Sequence, residues 1–284
     1  MSPLDFEIIQ AYRARTFQWQ PGQRLHSKEE AVEYVNQRGF VFFWPIQNIP
    51  FPSLWTAVAG DRPVADEHDD PGHVTWGWKD SLLGQRAWYY AKVLRKKATM
   101  ISFEILPYFY ALSENYGSPE EDYLTLYEQG RMTQECKAVY ETILEKGPID
   151  TIALRKAARM TNKESDSRFN KALTDLQADF KIVPMGVAEV GSWNYAFIYE
   201  IAARRYPDLI ELARPIGERA ARQKLAEMYF RSVGGATRSD VMKLFGWIPL
   251  KAEFTLNALV KSGLLHSGVE IAGRKGEWYL LSEL

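Results

Sequence analysis

From Thr133 onward the residues run twice through one order: a long amphipathic helix, a short helix, a second long helix, then two apolar strands around a tight turn. One-faced helices must bury their apolar stripe against another layer. In the first pass Cys136, Val139, Tyr140, Ile143 and Leu144 form a helical stripe that Gly147-Pro148 closes, and residues 150–160 read as a short second helix. A third helix, from about Ser165 to Phe180, puts Phe169, Ala172, Leu173, Leu176 and Phe180 on one face. Two β-rich pieces, 182–187 and 195–201, are joined across Glu189-Val190-Gly191-Ser192-Trp193. The second pass uses different residues. A helix over 218–233 precedes a short one starting at Thr237-Arg238-Ser239-Asp240, and Pro249 opens a third that runs through Leu256, Leu259 and Val260 to a glycine stop at Gly263. Residues 264–271 and 277–281 form a hairpin across Ala272-Gly273-Arg274-Lys275-Gly276. Three helices followed by a hairpin is the order of a winged helix. The expected class is therefore mainly α with small β-hairpins (α+β), built from tandem winged-helix units.

The first part of the chain begins the same way. Leu4, Ile8, Ala11, Tyr12 and Arg15 follow helical spacing, Ser27 and Glu30 make a capping box, and Ala31, Tyr34 and Val35 are the buried side of a second helix. Gly39 ends that helix, and Phe40 to Trp44 is a continuously apolar run bounded by Gly39 and Pro45, a buried strand. Sixteen of the thirty-eight aromatics lie between Phe40 and Tyr116, which sets this stretch apart. The expected organisation is a winged-helix-like unit over 1–60, an aromatic-rich segment over 61–132, and winged helices over 133–206 and 207–284.

Composition excludes several classes. A net charge of −1 removes any bulk electrostatic attraction to a polyanion, so nucleic acid would have to be met by local basic patches. A single cysteine, Cys136, supports neither a disulfide framework nor a thiolate metal site within one chain. The N-terminal stretch carries acids where a secretion signal needs a basic region, and no apolar run is long enough to span a bilayer. A cytoplasmic chain without membrane contact is expected.

A winged helix offers its third helix to the DNA major groove and its hairpin to the backbone. In the 133–206 unit, Arg168 and Lys171 share a helix face with Lys163 just before it, while Asp175 and Asp179 oppose them. In the 207–284 unit, Lys251 and Thr255 share a face and Arg274-Lys275 occupy the wing tip, making it electrostatically the better of the two. Arg95-Lys96-Lys97 add a further phosphate-binding cluster. Any one of these cations is also a plausible solvated surface group.

With these features the chain resembles the AlkZ/YcaQ family of bacterial DNA glycosylases, built from tandem winged helices, which excise N7-alkylated guanine or unhook its crosslinks. The family carries a strand of the form Gly-x-Val-Gln-x-Gln or Gly-x-Val-Gln-x-Asp, and this chain has Gly39-Phe40-Val41-Phe42-Phe43-Trp44 followed by Pro45-Ile46-Gln47. Alternate strand positions face one way, so the family's two polar groups converge on one water at the scissile N-glycosidic bond. Here those positions are Phe42 and Trp44, neither of which can act as a base. A second family element, Trp-x-His before a proline, aligns with residues 98–107 and places Thr99 and Ile101 at the Trp and His positions. The resemblance thus implies the fold without the usual catalytic pair.

Gln47 and Glu104 are the polar groups placed to rescue such a site, whereas Gln18-Trp19-Gln20 ends the first helix and carries no role. The cluster from Asp66 to His73 has metal-ligand residue types, but Gly60, Pro63, Pro71 and Gly72 mark it as an acidic solvated loop; no metal and no cofactor are expected. Trp76-Gly77-Trp78 and Trp88-Tyr89-Tyr90 suit either base stacking or core filling, and core filling is expected for most of them. Three functions remain open: binding of double-stranded DNA, alkylated or distorted, without hydrolysis; a glycosylase with displaced catalytic residues; and a winged-helix transcriptional regulator.

Overall fold

The computed structural model describes residues 3–191 and 195–284. Its β-structure is three antiparallel three-stranded sheets, and each has the last strand in sequence at its centre. The first holds β1 (Phe40–Phe42), β2 (Tyr89–Lys92) and β3 (Ala98–Ile101), in the order β1-β3-β2. The second holds β4 (Ile149–Asp150), β5 (Ile182–Ala188) and β6 (Ala196–Ile201), and the third β7 (Gly235–Thr237), β8 (Leu265–Val269) and β9 (Trp278–Leu281), both in the equivalent order. Each sheet follows one helix, encloses two more between its first and second strands, and closes with a hairpin. Three such units are consistent with tandem winged helices. The mainly α, α+β class expected from the sequence is the one observed.

The units form where local chemistry directs them. The Ser27 side chain accepts from the Glu30 backbone N–H to start helix Lys28–Arg38, and Gly39, at φ +77°, turns the chain into β1. Asp150 caps helix Thr151–Ala157 at two backbone donors, and Thr237 and Asp240 make a reciprocal capping box at helix Arg238–Phe245. The expected strand over Tyr195–Ile201 is β6, and the Ser192-Trp193 part of its connecting turn lies outside the described residues.

Two of the expected boundaries do not match these contacts. The break at residue 60 cuts through the first sheet, since β1 pairs with β3 from Phe40↔Ile101 to Phe42↔Thr99. The aromatic segment therefore completes the first unit, supplying helices Leu54–Ala59 and Val74–Leu83 and the β2–β3 hairpin. Its wing tip is Val93–Lys97. The helix Phe6–Thr16, expected within the first unit, is docked on the third. Arg13, buried, donates to the carbonyls of Val233 (3.1 Å) and Gly235 (2.8 Å); Tyr12 Oη and Thr16 Oγ1 donate to those of Arg231 and Ser232. Leu4 adds backbone bonds with Glu270 and Ala272 beside the third hairpin. Both misplacements have one cause: the pairing of β1 with β3 and the docking of the first helix on residues 231–235 join positions far apart in sequence and leave no trace in local periodicity.

β1 divides two cores. Phe40 and Phe42 face the apolar cluster that unites the first and third units with the connecting helix Leu106–Tyr110, while Val41 and Phe43 face the first unit's own core of Tyr34, Leu54 and Trp78. Each of these buried side chains is worth about 1.5–3 kcal/mol by apolar transfer. The second unit packs mainly around Tyr140, Phe169 and Ile182. Among the described residues no helix is long and apolar enough to cross a membrane.

Replacing Arg13 with Met keeps the stem's packing but leaves two carbonyls of the third unit without a donor. Urea unfolding of this variant should show a loss of about 3–6 kcal/mol, since two hydrogen bonds to a charged group are lost at roughly 1.5–3 kcal/mol each. An unchanged midpoint would mean that the N-terminal helix does not hold the third unit.

Candidate site at the junction of the three units

The three units meet around a cleft of about 590 Å³. The first unit contributes its wing, Val93 to Lys96; the second contributes Cys136 and the end of its third helix through Asp175, Asp179 and Lys181; the third contributes Arg222, Phe245 and Trp247. The connecting segment adds Phe109, Glu114, Arg131 and Met132. Such a volume is typical of a small-ligand or single-residue pocket.

Asp175 joins two units at the mouth of this cleft. Its two oxygens accept from Lys96 on the first unit's wing and from Lys171 on the second unit's third helix, each at 2.5 Å. Burial works against its charge, but the two lysines hold its carboxyl below the usual carboxylate range. Lys92 tightens the same seam, its backbone N–H donating to Gln177 Oε1 (3.2 Å) and its ammonium to Thr174 Oγ1 (3.3 Å). At the wing tip itself Arg95 and Lys96 have φ of +55° and +56°, a left-handed conformation that costs a non-glycine residue roughly 1 kcal/mol or more. Across the cleft Glu218 accepts from Lys251 and from Arg222 (2.6 Å), which together lower its carboxyl to about 2. Arg222 lies over Trp247, which in turn stacks on Phe245 at 4.3 Å.

Two groups on the cleft wall have surroundings the sequence reading did not give them: Asp179, read only as an acid opposing DNA, and Lys181, not singled out at all. Asp179 stands at the exposed lip of the cleft, where its carboxyl is raised by partial desolvation and by Asp175, although Lys181, Lys96 and Arg131 pull the other way. Lys181 is buried, donates to the Glu114 carbonyl (2.9 Å) and to Asn115 Oδ1 (2.7 Å), and is lowered by burial to about 8. The only sequence signal for Asp179 was its i,i+4 spacing from Asp175, which reads simply as acids opposing DNA, and Lys181 carries none.

The predicted residues divide sharply. Arg95, Lys96 and Lys97 form the exposed first wing, and Lys171 stands beside them. Lys163 is exposed ahead of the same helix, and Arg168 leans away to Glu135 at 3.3 Å. The third unit does not present the better basic surface. Thr255 is buried, donating to the Lys251 carbonyl, and Lys251 is held by Glu218. The outward face of that helix is instead Ile248, Leu250, Glu253 and Phe254. Arg274 and Lys275 are exposed at the third wing, with Arg274 over the Phe6 ring at 4.2 Å, away from the cleft.

Phe42 and Trp44 do not share a face. The strand ends at Phe42, which is fully buried against Phe51 with its ring 5.7 Å away, while Trp44 turns outward beside Trp76, ring to ring at 5.8 Å. Neither lines the cleft, and neither do Gln47 or Glu104, both exposed elsewhere. Thr99 is buried, accepting from the Leu94 backbone N–H, and Ile101 is core. In the acidic loop Asp70 pairs with Arg62 and accepts from the Gly72 backbone N–H, and no grouping of metal-ligating side chains is present among the described residues. Trp78, Trp88, Tyr89 and Tyr90 are core, as expected of most of that segment.

This architecture is that of a three-unit, helix-rich protein folded like a DNA glycosylase. It is similar over 99% of this chain, and over 71% of that chain, to the Streptomyces sahachiroi DNA glycosylase AlkZ, with a TM-score of 0.60 at 13% sequence identity. The chain belongs to the AlkZ-related family, whose model matches residues 25–246, from just before helix Lys28–Arg38 to the end of helix Arg238–Phe245. No curated protein matches it in sequence.

Lys181 gives a pH-dependent signature. Because its folded pKa lies near 8 and an unfolded lysine's near ~10.4, the unfolded chain binds more protons between those values, and stability rises with pH there. Denaturant unfolding between pH 7 and 9.5 should show the wild type gaining stability relative to Lys181→Met. A difference that is flat across this range would remove Lys181 as the source.

Proposed function

We propose that the protein binds double-stranded DNA along the edge formed by the first wing and the third helix of the second unit, and that it does not hydrolyse DNA with the catalytic pair of the glycosylases it resembles. The observation that carries the reading is the shared carboxylate of Asp175. It gathers Lys96 and Lys171, far apart in sequence, into one edge with Arg95 and Lys97 at the mouth of a cleft. A line of cations beside a cleft suits a phosphate backbone, which supplies most sequence-independent affinity. The burial of Phe42 in the apolar cluster, edge-on to Phe51, supports the second half of the proposal, because a phenyl ring at that position offers no group to hold or activate a water. Membership in the AlkZ-related family and the fold shared with a DNA glycosylase favour alkylated or distorted DNA as the form recognised, and hence a role in repair within the cytoplasm.

Fluorescence anisotropy with undamaged and N7-methylated duplexes at low salt tests this. Arg95→Glu combined with Lys97→Glu should weaken binding on the order of tenfold or more, as loss of phosphate contacts does. Arg274→Glu with Lys275→Glu, on the far wing, should change it little. Equal losses from both pairs would place the DNA elsewhere. Abasic-site formation at high protein excess would overturn the non-hydrolytic half.

A further inference from the structure

Outside the cleft, the first unit carries a row of rings that runs from its core to the surface. Trp55, buried, lies 5.1 Å from His73, His73 lies 5.9 Å from Trp76, and Trp76 lies 5.8 Å from Trp44. Trp44 and Trp76 are 38% and 43% exposed, so the row ends in two neighbouring indoles that face water. Large rings left side by side in solvent mark an interaction surface more often than singly scattered apolar groups do. The acidic loop is tied to the same row. His73 Nε2–H donates to the Ala65 carbonyl (3.0 Å), and the Trp55 indole N–H donates to that of Arg62 (3.3 Å). Asp61, Asp66, Glu67 and Asp69 of this loop are exposed, and among the described residues their carboxylates enter no ion pair.

One arginine of the chain shows what such a surface accepts. Arg62 lays its guanidinium 5.0 Å from the Trp55 ring centre and donates to Asp70 at 2.6 Å, so a ring and a carboxylate hold one cation together. A guanidinium suits both at once, because it is planar and weakly hydrated and can stack while its edge bonds an oxygen. Further along the row, Trp76 and Trp44 repeat the combination with indole faces and the carboxylates beside Ala65. Among the described residues no cation of this chain lies over either ring. The carboxylates repel a phosphate backbone, and a purely apolar partner would desolvate them without pairing them. We infer that this face is a docking surface for an arginine-rich segment of a partner protein, whose guanidinium groups stack on Trp44 and Trp76 and pair with Asp66, Glu67 and Asp69. It shares no residue with the basic edge and does not rest on the DNA-binding reading.

Fluorescence anisotropy of the full chain with a labelled peptide of alternating arginine and alanine tests the surface, with lysine-alanine and glutamate-alanine peptides beside it. The arginine peptide should bind several-fold more tightly than the lysine peptide, and the glutamate peptide should not bind. Trp44→Leu combined with Trp76→Leu keeps apolar bulk and removes the indole faces. It should weaken the arginine peptide roughly tenfold, as the loss of two exposed cation–π contacts does. Neutralising the loop with Asp66→Asn, Glu67→Gln and Asp69→Asn should weaken it by a similar factor and flatten its salt dependence. Both variants should melt with the wild type, since all five side chains are exposed. Undiminished binding by the tryptophan variant would overturn the proposal, leaving an acidic loop that attracts any cation. Equal affinity for the arginine and lysine peptides would overturn the part given to the guanidinium, and a peptide indifferent to both variants would place its site elsewhere.

Discussion

The placement of every other feature depends on an aromatic seam between the first and third units. Phe40 stacks on Phe51 at 5.1 Å, meets Phe109 edge-on at 5.0 Å and touches Phe245 at 6.0 Å, and Phe51 stacks in turn on Tyr229. These rings come from β1, the loop after it, the connecting helix Leu106–Tyr110 and two helices of the third unit. Large, rigid side chains with few rotamers lose little entropy on ordering and bury much area, so they fix the mutual position of the units. Where the seam ends, the walls separate and the cleft begins, with Phe109 and Phe245 belonging to both.

The seam also accounts for the missing polar pair. A glutamine at position 42 would replace an aromatic ring of this seam with an amide that must be desolvated, at a cost of roughly 1–3 kcal/mol on mutational scales unless it is paired. Phe42 is therefore integral to how the first and third units join. β1, which the sequence resemblance likens to the glycosylases' catalytic strand, serves in this chain as a mortise between the first and third units.

How much of this was legible in the sequence follows from the range of the forces involved. The two C-terminal units were readable because their caps, glycine stops and apolar stripes act over a few residues; Thr237, Pro249 and Gly263 each announce themselves. The first unit was half readable, because its sheet is completed by a hairpin whose strands, Tyr89–Lys92 and Ala98–Ile101, look like any apolar run until β1 pairs with one of them. The N-terminal helix was placed on the wrong unit, since Arg13 shows nothing of Val233 in its own neighbourhood. At the candidate site the cations of the first wing and of the second unit's third helix were visible individually. Their association through Asp175, and the turning of Asp179 into a shared cleft, exist only once three units have docked.

The shared carboxylate has a thermodynamic corollary. Asp175 shares its one negative charge between Lys96 and Lys171, Glu218 shares its own between Arg222 and Lys251, and Glu114 pairs with Arg131, so part of the edge's positive charge is already met within the protein. A polyanion meeting this edge therefore exchanges partners with those side chains and displaces few mobile ions from its own atmosphere. Its logarithmic affinity falls less steeply with salt than the number of lysines and arginines would suggest. Internal pairing of this kind lowers attraction to undifferentiated polyanions, and it leaves the choice of occupant to the shape and hydrogen bonding of the cleft.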